Sequence, residues 1–219
     1  MRSYEQTCLV ARSLDIVGER WTLLIVRELA LGPRRYSDLL GVLSGMGTSL
    51  LASRLKHLEE RNVVRRTTLP GPGQAAAYEL TERGEGLFPV IAGLAEWGAG
   101  LGEPSADHTD RVEWSVVAMR LTSSKEAARF TTLTELAIED ETLWLQGDGE
   151  RVRVGVGSAP LPPGLRLTSG KKTFYALAQG RLTVDDAVAD ERLDVHGELD
   201  EARLFFQLFS LPGGQPSPA

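Results

Sequence analysis

Hydroxyl and cationic side chains recur at helical spacing between residues 48 and 58, where a short amphipathic helix is predicted. If Leu51, Leu55 and Leu58 face a core, a step of about 100° per residue defines the opposite face. That face has small, polar or charged side chains: Ser49, Ala52, Ser53, Lys56 and Glu60. Small residues near a helix start allow close approach to base edges in a major groove about 12 Å wide. The two serines would donate hydrogen bonds to bases or phosphates, and the lysine would reach the phosphate backbone.

Further polar and cationic residues flank this face. Arg54 and His57 lie at its side, and Thr48 stands at the helix start, where it can act as N-cap. Two arginine pairs occur at positions suited to phosphate contacts, before the preceding helix and at the base of a hairpin: Arg34, Arg35, Arg65 and Arg66. Taken singly, exposed serine, lysine and arginine are usually solvated surface. The hypothesis of a DNA-binding surface therefore depends on all of them lying on one fold.

Four helices are predicted to position these side chains. Apolar residues at i, i+3 and i+4 predict one helix from Leu9 that ends at Gly18 and a second that ends before Gly32. A third, shorter helix begins near Tyr36 and precedes the helix that starts at Thr48. The connection between the third and fourth helices is rich in glycine, which predicts a tight turn.

The pattern then changes from helical to extended. β-branched residues at 63–68 and an alternating stretch at 77–80 predict two strands, with a Pro-Gly hairpin tip at 70–73. Thr81 is suited to cap a final helix, in which Pro89 either delays the start or causes a kink. Four helices, a hairpin and a last helix are the order of a winged helix-turn-helix domain.

Charge and composition limit the alternatives. The chain has 219 residues, 42% apolar and 25% charged, which is ordinary for a globular protein, and its net charge is −6. Residues 1–102 have 12 Lys and Arg against 11 Asp and Glu, a balance of +1, whereas residues 103–219 have 12 against 19, a balance of −7. The asymmetry predicts two domains with different partners. Any positive DNA-binding surface must come from the placement of charges, because the totals do not supply it.

A second domain is predicted at 110–211, after a Gly- and Pro-containing linker at 103–109 and before a disordered tail at 212–219. Helical patterns occur at 114–121, 125–130, 171–179, 184–189 and 200–209. Strand patterns occur at 133–138, 142–146, 151–157, 165–169 and 193–196. The predicted fold is α+β, with an antiparallel sheet covered by helices.

The last helix of this domain is unusually apolar, because its large side chains cover more than one stripe. Core packing together with a subunit contact explains this pattern. The alternative is an apolar cavity for a small ligand. The candidate lining residues are Trp114, Leu204, Phe205, Leu208 and Phe209.

Four blocks of the first domain resemble the HxlR family of bacterial regulators. They lie at 8–25, which includes Gly18-Glu19-Arg20-Trp21, and at 31–39, 50–59 and 78–84. The resemblance covers about 95 residues in order. It implies a DNA-binding homodimer that acts on a palindromic operator, with the terminal helices of the domain forming the interface. The candidate interface residues are Leu9, Leu14, Leu87, Ile91, Leu94 and Trp97.

Cys8 is the only cysteine of the chain, so an intramolecular disulfide is excluded while a bond between two subunits is not. It matches a cysteine that some HxlR-family members use as a redox switch. A sensing thiol needs access and a lowered pKa, which Arg12 one turn later would favour. The alternative is a small residue packed at the dimer helix.

The second domain resembles the sterol carrier protein type-two-like fold, loosely and over about 90 residues. The residues concerned lie at 164–168, 174–180 and 193–197. In that family an apolar tunnel holds lipids, so the resemblance implies a small apolar effector.

Enzyme chemistry is not indicated. The three histidines, His57, His108 and His196, are scattered along the chain. No spacing of cysteine, histidine and carboxylate residues predicts a metal site, and no cofactor-binding motif is complete.

No apolar run is long enough to cross a bilayer, and we expect a cytoplasmic protein without a membrane partner. Two functions remain: a ligand- or redox-modulated DNA-binding regulator, and a lipid-carrier or protein-interaction module that has lost DNA binding.

Overall fold

The computed structural model describes residues 3–69, 75–101 and 109–211. It forms two compact units, Met1–Ile91 and Ala92–Ala219. The division falls inside a helix, upstream of the linker predicted at 103–109. That linker (apart from residue 109), the hairpin tip at 70–73 and the tail at 212–219 lie outside the described residues.

The first unit follows the predicted order of four helices, a hairpin and further helices. The helices are α1 (Leu9–Val17), α2 (Thr22–Leu29), α3 (Tyr36–Val42), α4 (Thr48–Glu60), α5 (Glu82–Glu85) and α6 (Phe88–Ala99), the last of which extends past Ile91. The strands are β1 (Arg34–Arg35), β2 (Val64–Thr68) and β3 (Ala76–Leu80). They form an antiparallel sheet in the order β1-β3-β2. The sequence does not predict strand β1, because a strand of two residues is too short to show an alternation of polar and apolar side chains.

The core of this unit confirms the leucine stripe of α4. Leu51, Leu55 and Leu58 are fully buried, together with Ile25 of α2 and Leu39 of α3. Burial of a leucine side chain stabilises a fold by roughly 1.5–3 kcal/mol, so the stripe is sufficient to set the rotation of α4 about its axis. The polar face must then point to solvent.

Two predicted helix starts need correction. The N-cap of α4 is Gly47, and Thr48 is the first helical residue, so the helix begins one residue earlier than predicted and the glycine-rich turn is shorter by that residue. The stretch after Thr81 divides into α5 and α6, and Pro89 is the second residue of α6. The helix therefore starts late and does not kink, since proline is tolerated in a first turn where its missing N–H has no helical acceptor.

Thr81 joins the hairpin base to the helices that follow it. Its hydroxyl donates to the carbonyl of Asn62 at 2.6 Å and accepts from the N–H of Gly84 at 3.2 Å, which confirms the predicted cap. A Cβ on Gly84 would lie 2.2 Å from the carbonyl oxygen of Val63, so only glycine fits this approach. The chain between β3 and α5 is thereby held in one geometry.

The second unit, described from its own elements, is α+β as predicted. Its helices are α7 (Val112–Thr122), α8 (Lys125–Ala128), α9 (Lys171–Ala178), α10 (Val184–Ala189) and α11 (Leu199–Leu208). Its strands are β4 (Thr134–Ile138), β5 (Glu141–Gly147), β6 (Val152–Val156), β7 (Leu165–Ser169) and β8 (Leu193–His196). The sheet order is β6-β5-β4-β7-β8.

The sheet is mixed, so the antiparallel prediction is wrong at one pair. Strands β4, β5 and β6 are successive antiparallel neighbours, but β4 and β7 are parallel, with Leu136 opposite Leu167. The segment 157–164 returns the chain from β6 to the start of β7. Glu135 of β4 holds this segment: its buried carboxylate accepts from the N–H of Ala159 at 2.8 Å and lies 3.0 Å from the guanidinium of Arg166.

Aromatic rings fill much of the core of the second unit. Phe205 of α11 and Phe209 at its C-cap lie 4.9 Å apart, and each is about 6 Å from Phe130. All three rings are buried, and ring pairs at these distances stabilise by about 0.5–1.5 kcal/mol beyond their buried area. The large apolar side chains of Phe205 and Phe209 are therefore accounted for by packing in this core.

None of the helices in the described parts of the chain is long and apolar enough to cross a membrane.

Candidate nucleic-acid interface

The polar face of α4 lies in solvent, as the leucine stripe requires. Ser49, Ser53 and Lys56 are all exposed, as is Thr48 in the first turn. Tyr36 of α3 fixes the start of the helix, because its hydroxyl donates to the carbonyl of Thr48 at 2.6 Å. The first turn of α4 is thus anchored to α3 while its side chains stay exposed, as a helix that enters a major groove requires.

Arg54 and His57 are less available than the sequence predicts. The guanidinium of Arg54 pairs with the carboxylate of Glu19 at 2.7 Å, and only 14% of the Arg54 side chain is exposed. His57 is half-buried, and its Nε2 has no hydrogen-bond partner among the described residues.

The two arginines of β1 have different surroundings. Arg34 is directed inward: its side chain is 12% exposed and its Nη2 lies 3.8 Å from a carboxylate oxygen of Glu28, which is fully buried. Arg35 is exposed, and its backbone N–H donates to the Asp38 carboxylate at 3.3 Å. Since Arg27 also pairs with Glu28, at 2.7 Å, the buried carboxylate is held by cations from two elements. Of the pair, Arg35 is the residue placed to reach a phosphate.

Arg65 and Arg66 are adjacent in β2 and therefore project from opposite faces of the hairpin. Arg65 pairs with Glu79, its direct cross-strand neighbour, at 2.7 Å. Arg66 lies over the ring of Tyr78 and pairs with Glu59 of α4 at 3.1 Å. Both guanidinium groups remain largely exposed, so ligand access is open on both faces.

The acidic partners were not singled out from the sequence. Glu79 follows from the hairpin register, because Arg65 and Glu79 are opposite once the strand ends are known. Glu19 is 35 residues from Arg54, whereas Glu28 and Glu59 lie on the helices that precede the strands of Arg34 and Arg66. Only the tertiary structure shows which arginine each of these acids pairs with.

Across the described ranges 3–69, 75–101 and 109–211, no group of three or more histidine, cysteine or carboxylate side chains is placed to hold a metal ion.

Cys8 is exposed at the N-terminus of α1, where it occupies the N-cap position. The backbone N–H groups of Ala11 and Val10 at this helix end lower the pKa of its thiol below the ordinary value of 9.0. The cause is thus the open end of the helix. Arg12, which the sequence analysis predicts as the cause, is not the source of this shift.

The predicted dimer-interface residues are mostly uncovered apolar side chains. On α1, Leu9 and Leu14 are exposed, as is Val10 between them. On α6, Leu94 and Trp97 are exposed, whereas Ile91 is buried and the preceding Leu87 is half-buried. Each of the two helices therefore has a large apolar surface in solvent.

The predicted ligand-pocket residues have divergent surroundings in the second unit. Phe205 and Phe209 are part of the aromatic core, Leu204 is exposed, and Trp114 and Leu208 are half-buried. An open depression of about 400 Å³ in this unit has other lining residues, among them Glu113, Asp140, Glu141 and Ser158. Three carboxylate residues line it together with apolar residues such as Leu143 and Val156.

Comparison with known proteins identifies the relatives of the first unit. The model of the "HxlR-like helix-turn-helix" family matches residues 16–106. The HTH-type transcriptional regulator YvaP of Bacillus subtilis is 33% identical over 94 residues, which is 43% of this chain and 87% of YvaP. An HTH-type transcriptional regulator of Mycobacterium tuberculosis is 43% identical over 89 residues, 41% of this chain and 56% of that protein. The chain thus spans about half the length of this relative.

A solved structure gives a similar match. The reduced form of the transcriptional regulator YodB of Bacillus subtilis is 32% identical, covers 46% of this chain and 99% of its own, and superposes with a TM-score of 0.40. The family match ends at residue 106, before β4 and the rest of the second sheet. Both of these relatives are HTH-type transcriptional regulators.

Proposed function

Since the chain belongs to the HxlR-like helix-turn-helix family of DNA-binding transcriptional regulators, we propose that it binds a palindromic operator as a homodimer through α4 and the β2–β3 hairpin. One observation supports the docking face above all. Ser49, Ser53 and Lys56 are exposed on the side of α4 opposite its buried leucines. This surface offers small donors for base edges and one cation for the backbone.

The hairpin and β1 supply the remaining phosphate contacts in this proposal. Arg35, Arg65 and Arg66 are exposed and provide these contacts. Arg66 is joined to α4 through Glu59, so α4 and the hairpin can engage one duplex together. Arg34 and Arg54 act differently: Arg34 ties β1 to α2 through Glu28, and Arg54 ties α4 to the α1–α2 connection through Glu19. In this proposal, some of the residues predicted to contact DNA lie on the DNA-binding surface, and others hold that surface in position.

The proposed subunit interface consists of the apolar surfaces of α1 and α6. Leu9, Val10, Leu94 and Trp97 expose large apolar side chains, which a monomer would leave in contact with water. Pairing of these helices in two copies would cover them and set two α4 helices against successive turns of DNA. Half-sites about 34–36 Å apart are expected for such a dimer.

The experiment that tests this proposal is selection of genomic fragments by the purified protein, followed by sequencing. An enriched palindromic site, bound with a steep salt dependence, supports operator binding. Uniform recovery of fragments at low salt contradicts it and favours the alternative, a carrier or interaction module without operator binding. Light scattering in parallel distinguishes a dimer from a monomer.

Redox control through Cys8 is a second part of the proposal. The thiol is exposed and its pKa is lowered by the N-terminal N–H groups of α1, the same helix that we assign to the dimer interface. A disulfide between two copies of Cys8 would therefore form at or near the subunit contact. Mild oxidation followed by a non-reducing gel and an operator titration tests this. Absence of a Cys8-dependent covalent dimer would contradict it.

An apolar effector in residues 110–211 is the third part. The exposed Leu204 and the half-buried Leu208 of α11 favour it, while Phe205 and Phe209 would have to move from the aromatic core to line a pocket. The loose resemblance to the sterol carrier protein type-two-like fold gives the same expectation. Thermal-shift screening against apolar compounds, with operator affinity measured beside it, tests the idea; binding without any change in operator affinity would refute a regulatory role.

A further inference from the structure

Two carboxylates, Glu59 and Glu79, hold the guanidinium groups of the hairpin arginines. Nε of Arg66 lies 3.1 Å from Oε1 of Glu59, and Nε of Arg65 lies 2.7 Å from Oε1 of Glu79. The two acids come from different elements, α4 and β3, and the two arginines project from opposite faces of β2. Each arginine therefore has its own acidic partner.

The exposures within each pair are unequal. The arginine side chains are 66% and 71% exposed, whereas the side chains of Glu79 and Glu59 are 24% and 27% exposed. A phosphate can thus reach either guanidinium, but the carboxylate beside it is partly enclosed by the fold and stays in place. Arg66 is fixed further by the ring of Tyr78, 5.8 Å from its guanidinium carbon.

A DNA phosphate competes with such a carboxylate in two ways. Bidentate binding of an oxyanion uses two parallel N–H groups of the arginine fork, and the Nε group is already engaged in both pairs. A carboxylate that remains next to the bound phosphate adds repulsion between like charges. Binding through Arg65 or Arg66 must therefore overcome an existing ion pair.

We propose that Glu59 and Glu79 are affinity-limiting residues, which weaken the contacts of Arg66 and Arg65 with DNA phosphates on any sequence. This inference rests on the proposed DNA binding and adds two acidic residues to the surface that controls it. Because phosphate contacts do not read bases, the weakening acts equally on operator and random DNA. It limits the time that the protein spends bound to DNA at sites other than its target.

The test is a fluorescence-anisotropy titration of the full chain with two short duplexes of unrelated sequence. Glu59→Gln and Glu79→Gln remove each carboxylate charge with little change in side-chain shape. An exposed ion pair contributes about 0.2–1 kcal/mol, so each variant is expected to bind about 1.4- to 5-fold more tightly. The factor should be the same on both duplexes, and the double variant should show the product of the two factors.

Matched controls separate the pairing from a general effect of charge. Glu150→Gln removes one negative charge from an exposed position of the second unit and should give a smaller gain than Glu59→Gln or Glu79→Gln. In an Arg66→Ala background the gain from Glu59→Gln should disappear, and in an Arg65→Ala background so should the gain from Glu79→Gln. Thermal melting of each variant confirms that it is folded.

The outcomes are distinguishable. If the unaltered protein fails to bind either duplex at low salt, the proposed DNA binding fails and this inference fails with it. If the unaltered protein binds but both glutamine variants bind no more tightly, only the affinity-limiting role is overturned. A gain that persists without the arginine, or that Glu150→Gln reproduces in full, also overturns it.

Discussion

Nη2 of Arg54 lies 2.7 Å from Oε2 of Glu19, so an ion pair joins α4 to the connection between α1 and α2. The arginine is largely enclosed, whereas the side chain of Glu19 is 41% exposed. The pair restrains the helix that we propose to enter the DNA groove. The sequence assigns Arg54 to a phosphate, but the structure places it as a support for α4.

Arg54→Ala should therefore affect stability more than the electrostatics of DNA binding. Loss of its packed stem and ion pair should lower the free energy of unfolding by about 1–2 kcal/mol. Glu19→Gln should cost less than about 1 kcal/mol, because solvent screens its exposed carboxylate. Urea unfolding measures both. An Arg54→Ala variant of unchanged stability, with a lower salt dependence of DNA binding, would instead make Arg54 a phosphate contact.

Lys56→Ala should weaken binding to all duplexes and reduce the slope of log affinity against log salt concentration by about one, since one phosphate contact is lost. Lys172→Ala, which removes an exposed lysine of α9 in the second unit, is the matched control and should leave the slope unchanged. Titrations over a series of salt concentrations provide the slopes. Equal slopes for all three proteins would refute the proposed docking face.

Arg34 and Arg35 should respond differently to the same substitution. Arg34→Ala removes a cation beside the fully buried Glu28 and should lower the free energy of unfolding by about 1–3 kcal/mol. Arg35→Ala should leave the stability within about 0.5 kcal/mol, as for most surface changes, but should weaken DNA binding. Unfolding curves together with anisotropy titrations check both. The reverse pattern would show that Arg34 is the residue that contacts DNA.

The thiol of Cys8 should titrate below the ordinary pKa of 9.0, because the N–H groups of Ala11 and Val10 stabilise its thiolate. The rate of alkylation against pH should have its midpoint at lower pH in the folded protein than in the protein unfolded by urea. The folded-state pKa is depressed, so the stabilising contribution is present above the unfolded pKa and is lost as the pH falls through the folded pKa. Coincident midpoints would contradict a helix-end effect.

Trp97→Asp should convert the proposed dimer into a monomer, because it places a charge in an apolar contact. Trp97 is 68% exposed in the chain alone. Leu161→Asp, at a position in the second unit that is 69% exposed, is the matched control and should remain dimeric. Light scattering gives the mass of each. A monomeric unaltered protein, or a Trp97→Asp variant that stays dimeric, would refute the assignment of α6 to the interface.

Helices and strands were predictable because local signals mark their limits. Gly18 follows α1, Gly32 and Pro33 follow α2, and the leucine period of α4 fixes its buried face. These signals operate within one or two turns of chain. They do not depend on what packs against the element.

The incorrect or incomplete predictions involve contacts between distant residues. Nothing local in Leu133–Ile138 shows that β4 will pair with β7 in parallel. Side chains alternate between the two faces of a strand in the same way whether its neighbour runs parallel or antiparallel. The inward position of Arg34 depends on the buried Glu28 of the preceding helix. The opposite directions of Arg65 and Arg66, in contrast, follow from the strand period and were open to prediction.

The parallel pairing of β4 with β7 has a consequence for the growing polypeptide. The second sheet is complete only when 157–164 has crossed back and β7 and β8 have been synthesised, whereas the first unit ends at Ile91. Domains generally fold as units from the N-terminal end during synthesis, and pairings between distant strands form slowly. We expect nascent chains arrested near residue 160 to contain a folded first unit beside an unfinished sheet. Translation would then produce the proposed DNA-binding surface before the region proposed to control it.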